Sequence, residues 1–172
     1  MRWLDRLHAA WRPGGRAEYG AIVVNCDPDP RSTSFSARLC RAYLDGARAA
    51  GRPVQYCSLG EIAGKGCREG SAANHMMLVC PIMDDPPSLP DLFSRPWLRA
   101  VAPRTIRIVF LTEVPAFLQR GALQHSPSMQ KLGGFFPAAR IRQDFIGNIG
   151  TAEPEQYLWW IATIREYGSK GI

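Results

Sequence analysis

The sequence predicts an α/β fold, a three-layer sandwich in which helices cover both faces of a central, mostly parallel five-stranded sheet. Three observations carry that prediction. Short apolar and β-branched runs recur along the chain, each long enough for a strand and far too short to span a bilayer. The stretches between them are helix formers or long loops, and parallel strands need crossovers of that length. Finally, 46% hydrophobic and 21% charged residues over 172 positions is a globular composition, sufficient for one domain with a real core.

Element by element, the chain opens on residues 1–18. Trp3, Leu4, Leu7 and Trp11 stand there at helical spacing among Arg2, Arg6 and Arg12, until Pro13-Gly14-Gly15 breaks the pattern. This reads as an amphipathic helix on a hinge ahead of a domain over 19–172. It either packs on the domain or a second subunit, or makes a peripheral membrane or protein contact through residues 1–12. Residues 21–25, Ala-Ile-Val-Val-Asn, form the first strand. A proline-containing polar turn leads into a helix over 35–50, with Phe35, Leu39, Tyr43 and Ala47 among its apolar positions and Gly51 as its stop. Residues 54–58 and 76–81 are the second and third strands, separated by a run rich in Gly, Ser and Ala. A proline-dense loop over 84–96 and a short helix or turn over 97–101 precede the fourth strand, 104–112. The segment 113–138 is mixed and polar and receives no element. A fifth strand follows at 139–145, and a helix at 155–167 is started by Thr151-Ala152-Glu153-Pro154.

Several function classes drop out. The five cysteines are odd in number and contain no C-x-x-C pair, so buried reduced thiols are expected rather than a disulfide framework or a zinc site. The net charge of +6 comes from scattered arginines with no interleaved stacking aromatics, which fits a basic mouth for a small anion better than nucleic acid. The arginine-rich start develops no secretory apolar region, so a soluble cytoplasmic protein is the expectation. His8, His75 and His125 lie in no metal-ligand spacing and are read as surface or core residues. Asp84 and Asp85 are neighbours whose side chains point apart in an extended loop, which argues against paired acid–base chemistry.

Open parallel sheets bind ligands beyond the C-terminal ends of their strands, where the strand order reverses. Three stretches meet at that edge: 26–36, 81–90 and 112–117. In the first, Ser32, Thr33, Ser34 and Ser36 cluster at a helix N-terminus, where unpaired N–H groups and the positive dipole end favour an anion, and Arg31 adds charge. The glycine patterns of nucleoside triphosphate and dinucleotide loops are missing, so a phosphate held in another manner is the reading.

These residues carry a resemblance. Ile22-Val23-Val24-Asn25-Cys26-Asp27-Pro28-Asp29-Pro30-Arg31-Ser32-Thr33-Ser34-Phe35-Ser36 resembles the first strand and His-Pro-x-Pro-x-Ser-Phe loop of the flavodoxin-like NAD(P)H:quinone oxidoreductase family, the group that includes modulator-of-drug-activity proteins. Leu78-Val79-Cys80-Pro81-Ile82 is similar to that family's third strand, 90–101 to the segment after it, and Gly134-Phe135-Phe136-Pro137 through Trp159 and Trp160 to its end. The resemblance implies a flavodoxin-like fold holding FMN, or FAD, with NAD(P)H as co-substrate and a quinone or similar small molecule as acceptor, in a homodimer. Carried over, the cofactor-binding positions are Asp27, Arg31, Ser32, Thr33, Ser34, Phe35 and Ser36 around the phosphate. Pro81, Ile82, Met83 and Asp84, with Thr112, Glu113 and Val114, frame the ring. No catalytic residue and no metal follows from it.

The chain departs from the pattern in three places. Asp27 replaces the family's histidine, a carboxylate whose repulsion of a nearby phosphate would cost on the order of 1–2 kcal/mol. The second loop, Pro81-Ile82-Met83-Asp84, has neither the aromatics nor the glycine usual there, and Glu113-Val114-Pro115 replaces glycines in the third. Those departures motivate the alternative reading, a flavodoxin-like binding or regulatory subunit without flavin redox activity.

Overall fold

The computed structural model describes residues 18–28, 33–59, 72–82, 101–124 and 126–172. Five strands, β1 (Glu18–Asn25), β2 (Val54–Ser58), β3 (Ala72–Pro81), β4 (Thr105–Leu111) and β5 (Arg140–Ile146), form one sheet. Every pair is parallel and the order is β2-β1-β3-β4-β5. The expected sheet was mostly parallel; among the described residues it is wholly so. Among the described residues four helices accompany it: α1 (Phe35–Ala49), α2 (Ala116–Gln124), α3 (Pro127–Phe135) and α4 (Pro154–Lys170).

Burial explains why the inner strands are predominantly apolar, with His75 of β3 and Arg107 of β4 as buried exceptions. Ala21, Ile22, Val23 and Val24 of β1, Met76 to Cys80 of β3 and Ile106 to Leu111 of β4 are all buried, as strands covered on both faces must be. Alternation sorts them. Ile22, Val24, Met76, Leu78, Ile108 and Phe110 face Leu123 of α2 and Met129 and Leu132 of α3. Ala21, Val23, Met77, Val79 and Val109 face Leu39 and Tyr43 of α1 and Trp160 and Ile164 of α4. The edge strands are half exposed, β2 at its start and β5 along most of its length.

Local signals set the helix ends. Ser34 caps α1, its Oγ accepting from the Ala37 N–H at 3.3 Å, and Gly51 follows the helix with φ +67°. Ser126 caps α3 in the same way, with Pro127 at its first position. Pro154 starts α4, and Gly171 ends it in the left-handed region at φ +69°.

The boundaries differ from the sequence reading mostly at strand starts: β1 and β3 begin earlier, at Glu18 and Ala72. The substantive correction is 113–138, which holds α2 and α3 rather than irregular chain. A second correction concerns sulfur. Cys26, Cys40 and Cys80 are free and buried as expected, but Cys57 is disulfide-bonded, its partner lying outside the described residues. The amphipathic segment 1–12, the crossover after Leu59, and the segment 84–100 with its Asp84-Asp85 pair, also lie outside them.

Candidate functional site

The chain leaves β1 toward β2 on one side and returns to β3 on the other, so the strand order reverses between β1 and β3. In open parallel sheets the crevice that takes a ligand lies beyond the C-terminal ends of the strands at such a reversal, and of the loops that follow β1 and β3 here, residues 29–32 and 83–100 lie outside the described residues. Residues that the sequence singled out stand at or just beyond the ends of three of the five strands: Asp27 after β1, Pro81 and Ile82 at the end of β3, and Thr112 after β4.

The first loop is an internally bonded polar cluster. Asn25, Asp27 and Ser36 are all buried, with 2%, 7% and 2% of their surface exposed. The Asp27 N–H donates to Asn25 Oδ1 at 3.1 Å, folding the chain back as it leaves the strand. Ser36 Oγ donates to Asp27 Oδ2 at 2.6 Å, and Ser34 Oγ lies 2.9 Å from Ser36 Oγ. Phe35 packs edge-on against Tyr157, with ring centroids 5.0 Å apart, and also touches Trp160, so α4 fixes the first turn of α1. Thr33 is exposed. Arg31 and Ser32, the other two first-loop positions, lie outside the described residues.

The second loop begins with Pro81 and Ile82, both half-buried, and the Ile82 N–H donates to the Leu111 carbonyl at 2.8 Å. Met83 and Asp84 lie outside the described residues. In the third loop Thr112 is buried. Its N–H donates to Ile146 O, its carbonyl accepts from Ile149 N–H, and its Oγ1 accepts from Val114 N–H at 3.2 Å, so it shapes the loop. Glu113 and Val114 are exposed. Gly147 lies against this loop so closely that a Cβ there would stand 2.4 Å from the Ala116 nitrogen.

Sequence reasoning overlooked two contributors at this edge. Asn25 is the acceptor that orients Asp27; an Asn directly after a buried β-branched run was the available signal. The second is the pairing of α2 and α4 around a cavity of about 470 Å³ beside the third loop, lined by Phe117, Arg120, Asn148 and Trp160 among others. A cavity of about 520 Å³ opens at the opposite, N-terminal edge between residues 101–104 and 134–139. It is walled largely by Val101, Pro103, Phe135, Phe136 and Pro137, whereas the polar cluster stands at the C-terminal edge.

The Cys26 thiol is not a nucleophile. Burial first, then the neighbouring Cys80 thiol and the Asp27 carboxylate, push the Cys26 thiol up, so it stays protonated. Among the described residues no group of three or more His, Cys, Asp or Glu side chains offers a metal site, and no helix is long and apolar enough to cross a membrane.

Comparison with solved structures agrees with the strand order. The NAD(P)H:quinone oxidoreductase from Methanothermobacter marburgensis matches with a TM-score of 0.66 at 14% identity, over 90% of this chain and 96% of that one. The fold is flavodoxin-like. Smu.1420 from Streptococcus mutans UA159 matches with a TM-score of 0.60 at 12% identity, over 87% and 98%. No family model and no curated protein matches the sequence. At these identities the likeness fixes the flavodoxin-like fold, and the chemistry must be argued from the strand ends around the β1/β3 reversal.

Proposed function

We propose that the chain is a flavin-dependent NAD(P)H oxidoreductase that uses a bound flavin to reduce a quinone or similar small acceptor. The observation that carries this reading is the reversal of strand order between β1 and β3, with the hydroxyl and carboxylate cluster following β1 and exposed Glu113 and Val114 following β4 at the same edge of the sheet. It is supported by the likeness of the fold to a structure described as an NAD(P)H:quinone oxidoreductase. When bound, a flavin supplies the two-electron redox chemistry, and the protein's share is placement and electrostatics.

That share divides among the loops. The first N–H groups of α1, those of Phe35 and Ser36, belong to the set a helix leaves without intrahelical acceptors, and they would hold the polar side chain of a flavin. Phe35, held by Tyr157 and Trp160, fixes the direction of those groups. Pro81 and Ile82, tied to β4 through Leu111, and Val114, tied to Asn148, form apolar walls that keep water from a ring. Of the described hydroxyls in this loop, Ser36 is engaged by Asp27 and Thr33 is exposed, and with the first N–H groups of α1 they fit the polar side chain of a flavin.

The deciding measurement is a spectrum. Protein incubated with flavin and desalted should retain the flavin absorption bands and quench flavin fluorescence, and should then oxidise NADPH in the presence of a quinone. A preparation that retains no flavin of any kind sinks the proposal and favours the second reading, a binding or regulatory subunit, which the engaged Asp27 carboxylate motivates. The expected homodimer also stands as a proposal. Phe117 and Leu118 on α2, and Leu158 and Trp159 on α4, are exposed apolar side chains suited to a second copy, and sedimentation velocity decides it.

A further inference from the structure

We infer that the cavity of about 310 Å³ at the N-terminal edge of the sheet, where the C-terminal halves of α1 and α4 meet the first residues of β1, β3 and β4, is a second binding site, one for a small organic carboxylate held by Arg52, Arg104, Tyr43 and His75. It lies at the edge opposite the strand ends read above as the flavin site, and it does not depend on that reading.

Two buried polar groups without partners lead there. Tyr43 on α1 is 0% exposed and His75 on β3 is 3% exposed, and neither the Tyr43 hydroxyl nor His75 Nε2 has a hydrogen-bond partner. A buried polar group left unmatched is costly, so two of them side by side call for a third party. Their rings stack with centroids 6.0 Å apart, and both residues line the same cavity. A cavity of this volume takes a small molecule rather than a single water.

Charge names the class of that molecule. Arg52 and Arg104 stand in the wall, and no Asp or Glu is among the described residues that line it. Arg52 is fixed through Nε, which donates to the Ser169 carbonyl at 2.9 Å, and this leaves the terminal nitrogens of its guanidinium for another acceptor. Its positive charge is close enough to Tyr43 to oppose in part the burial that pushes the Tyr43 hydroxyl up to about 12, so at neutral pH that hydroxyl keeps its proton and is a donor. At His75, Nδ1 stands 2.7 Å from Thr105 Oγ1. When the Thr105 hydroxyl donates to Nδ1, the neutral ring carries its proton on Nε2, and Nε2 becomes a donor as well. Two guanidinium groups and two neutral donors match a carboxylate, whose oxygens only accept. Ala21, Ala47 and Gly168 add small apolar surface to the wall, which suits an apolar body behind the carboxylate.

The test is calorimetric titration of the full chain with benzoate, benzamide and inorganic phosphate at fixed ionic strength, in a buffer free of carboxylates and phosphate. Benzoate should bind the wild type saturably, and at least about tenfold more tightly than its neutral isostere benzamide, the scale of one charge-assisted hydrogen bond. It should also bind more tightly than phosphate, which has no apolar body. Arg52→Gln should weaken benzoate by about tenfold and Tyr43→Phe by about fivefold. Without benzoate, Tyr43→Phe should melt at the wild-type temperature or above it, since the hydroxyl it removes has no partner in the free protein. An absence of saturable benzoate binding by the wild type overturns the inference, as does equal affinity for benzamide, and neither comparison needs a variant to fold. Phosphate bound as tightly as benzoate overturns the carboxylate class. Benzoate affinity untouched by both substitutions puts the binding elsewhere on the molecule and overturns the site. A Tyr43→Phe protein that melts below the wild type shows the hydroxyl already engaged within the fold and overturns its role.

Discussion

His75 shows what burial does to a single titratable group. It lies on β3 with 3% of its surface exposed, its ring stacked on Tyr43 and its Nδ1 2.7 Å from Thr105 Oγ1. Burial, then the positive charges of Arg107 and Arg142, pull its pKa down to about 4 from 6.5. The folded protein therefore refuses a proton that the unfolded chain accepts below about pH 6.5, and stability must fall as pH falls through the window from 6.5 to 4. Below that window the slope ends, because both states are protonated. The full effect is on the order of 3 kcal/mol. Urea denaturation between pH 7 and 4 should show it, and His75→Phe should flatten the slope across that interval. A second residue-scale prediction concerns Arg107, 6% exposed, whose Nη1 donates to Asp144 Oδ2 at 2.8 Å while its guanidinium lies 3.8 Å from the Tyr167 ring centroid. Asp144→Ala leaves that buried charge without its carboxylate and should cost roughly 2–3 kcal/mol by the same assay.

Between elements, the tightest contact is the one joining α1 to α4. A Cβ on Gly46 would stand 1.9 Å from the Arg165 carbonyl oxygen, and one on Gly168 would stand 2.1 Å from that of Tyr43. The two helices touch backbone to backbone, and no side chain can yield to make room. Gly46→Ala and Gly168→Ala should each lower stability by about 3 kcal/mol or more, because overpacking against a backbone cannot relax by a rotamer change. Gly133→Ala in α3, where a Cβ meets nothing within 4 Å, should be neutral or slightly stabilising. Thermal melts of the three variants separate the cases. The same elements show what the sequence makes legible. Strands buried on both faces, such as the Ile-Val-Val run of β1, announce themselves by β-branched composition, and α1 and α4 by their apolar spacing and caps. Helices α2 and α3 do not. Their nine-residue lengths, the exposed Phe117 and Leu118, and Gly133 and Gly134 inside α3 blur the helical period that a single sequence offers. At the site, the hydroxyl cluster was legible as composition. The pairing of Ser36 with Asp27 nine residues away was not, since it depends on how α1 docks against the end of β1.

For the molecule as a whole, a site at these strand ends exists only when β1, β3 and β4 are assembled, because it draws on three strands that the unfolded chain does not hold together. A ligand seated there binds the native state alone and must stabilise it by mass action. At a free concentration of one hundred times its dissociation constant, the gain is about 2.7 kcal/mol. For a chain of this size each kcal/mol moves the melting temperature by roughly 2–4 °C, so a saturating flavin should raise it by roughly 5–10 °C. The shift should grow with the logarithm of flavin concentration, which a nonspecific additive effect does not. Differential scanning calorimetry over a hundredfold range of FMN and of FAD measures it. A melting temperature indifferent to either flavin would leave the fold standing and remove flavin from its function, since a site at the strand ends of a cooperative sheet cannot be filled without the whole domain registering it.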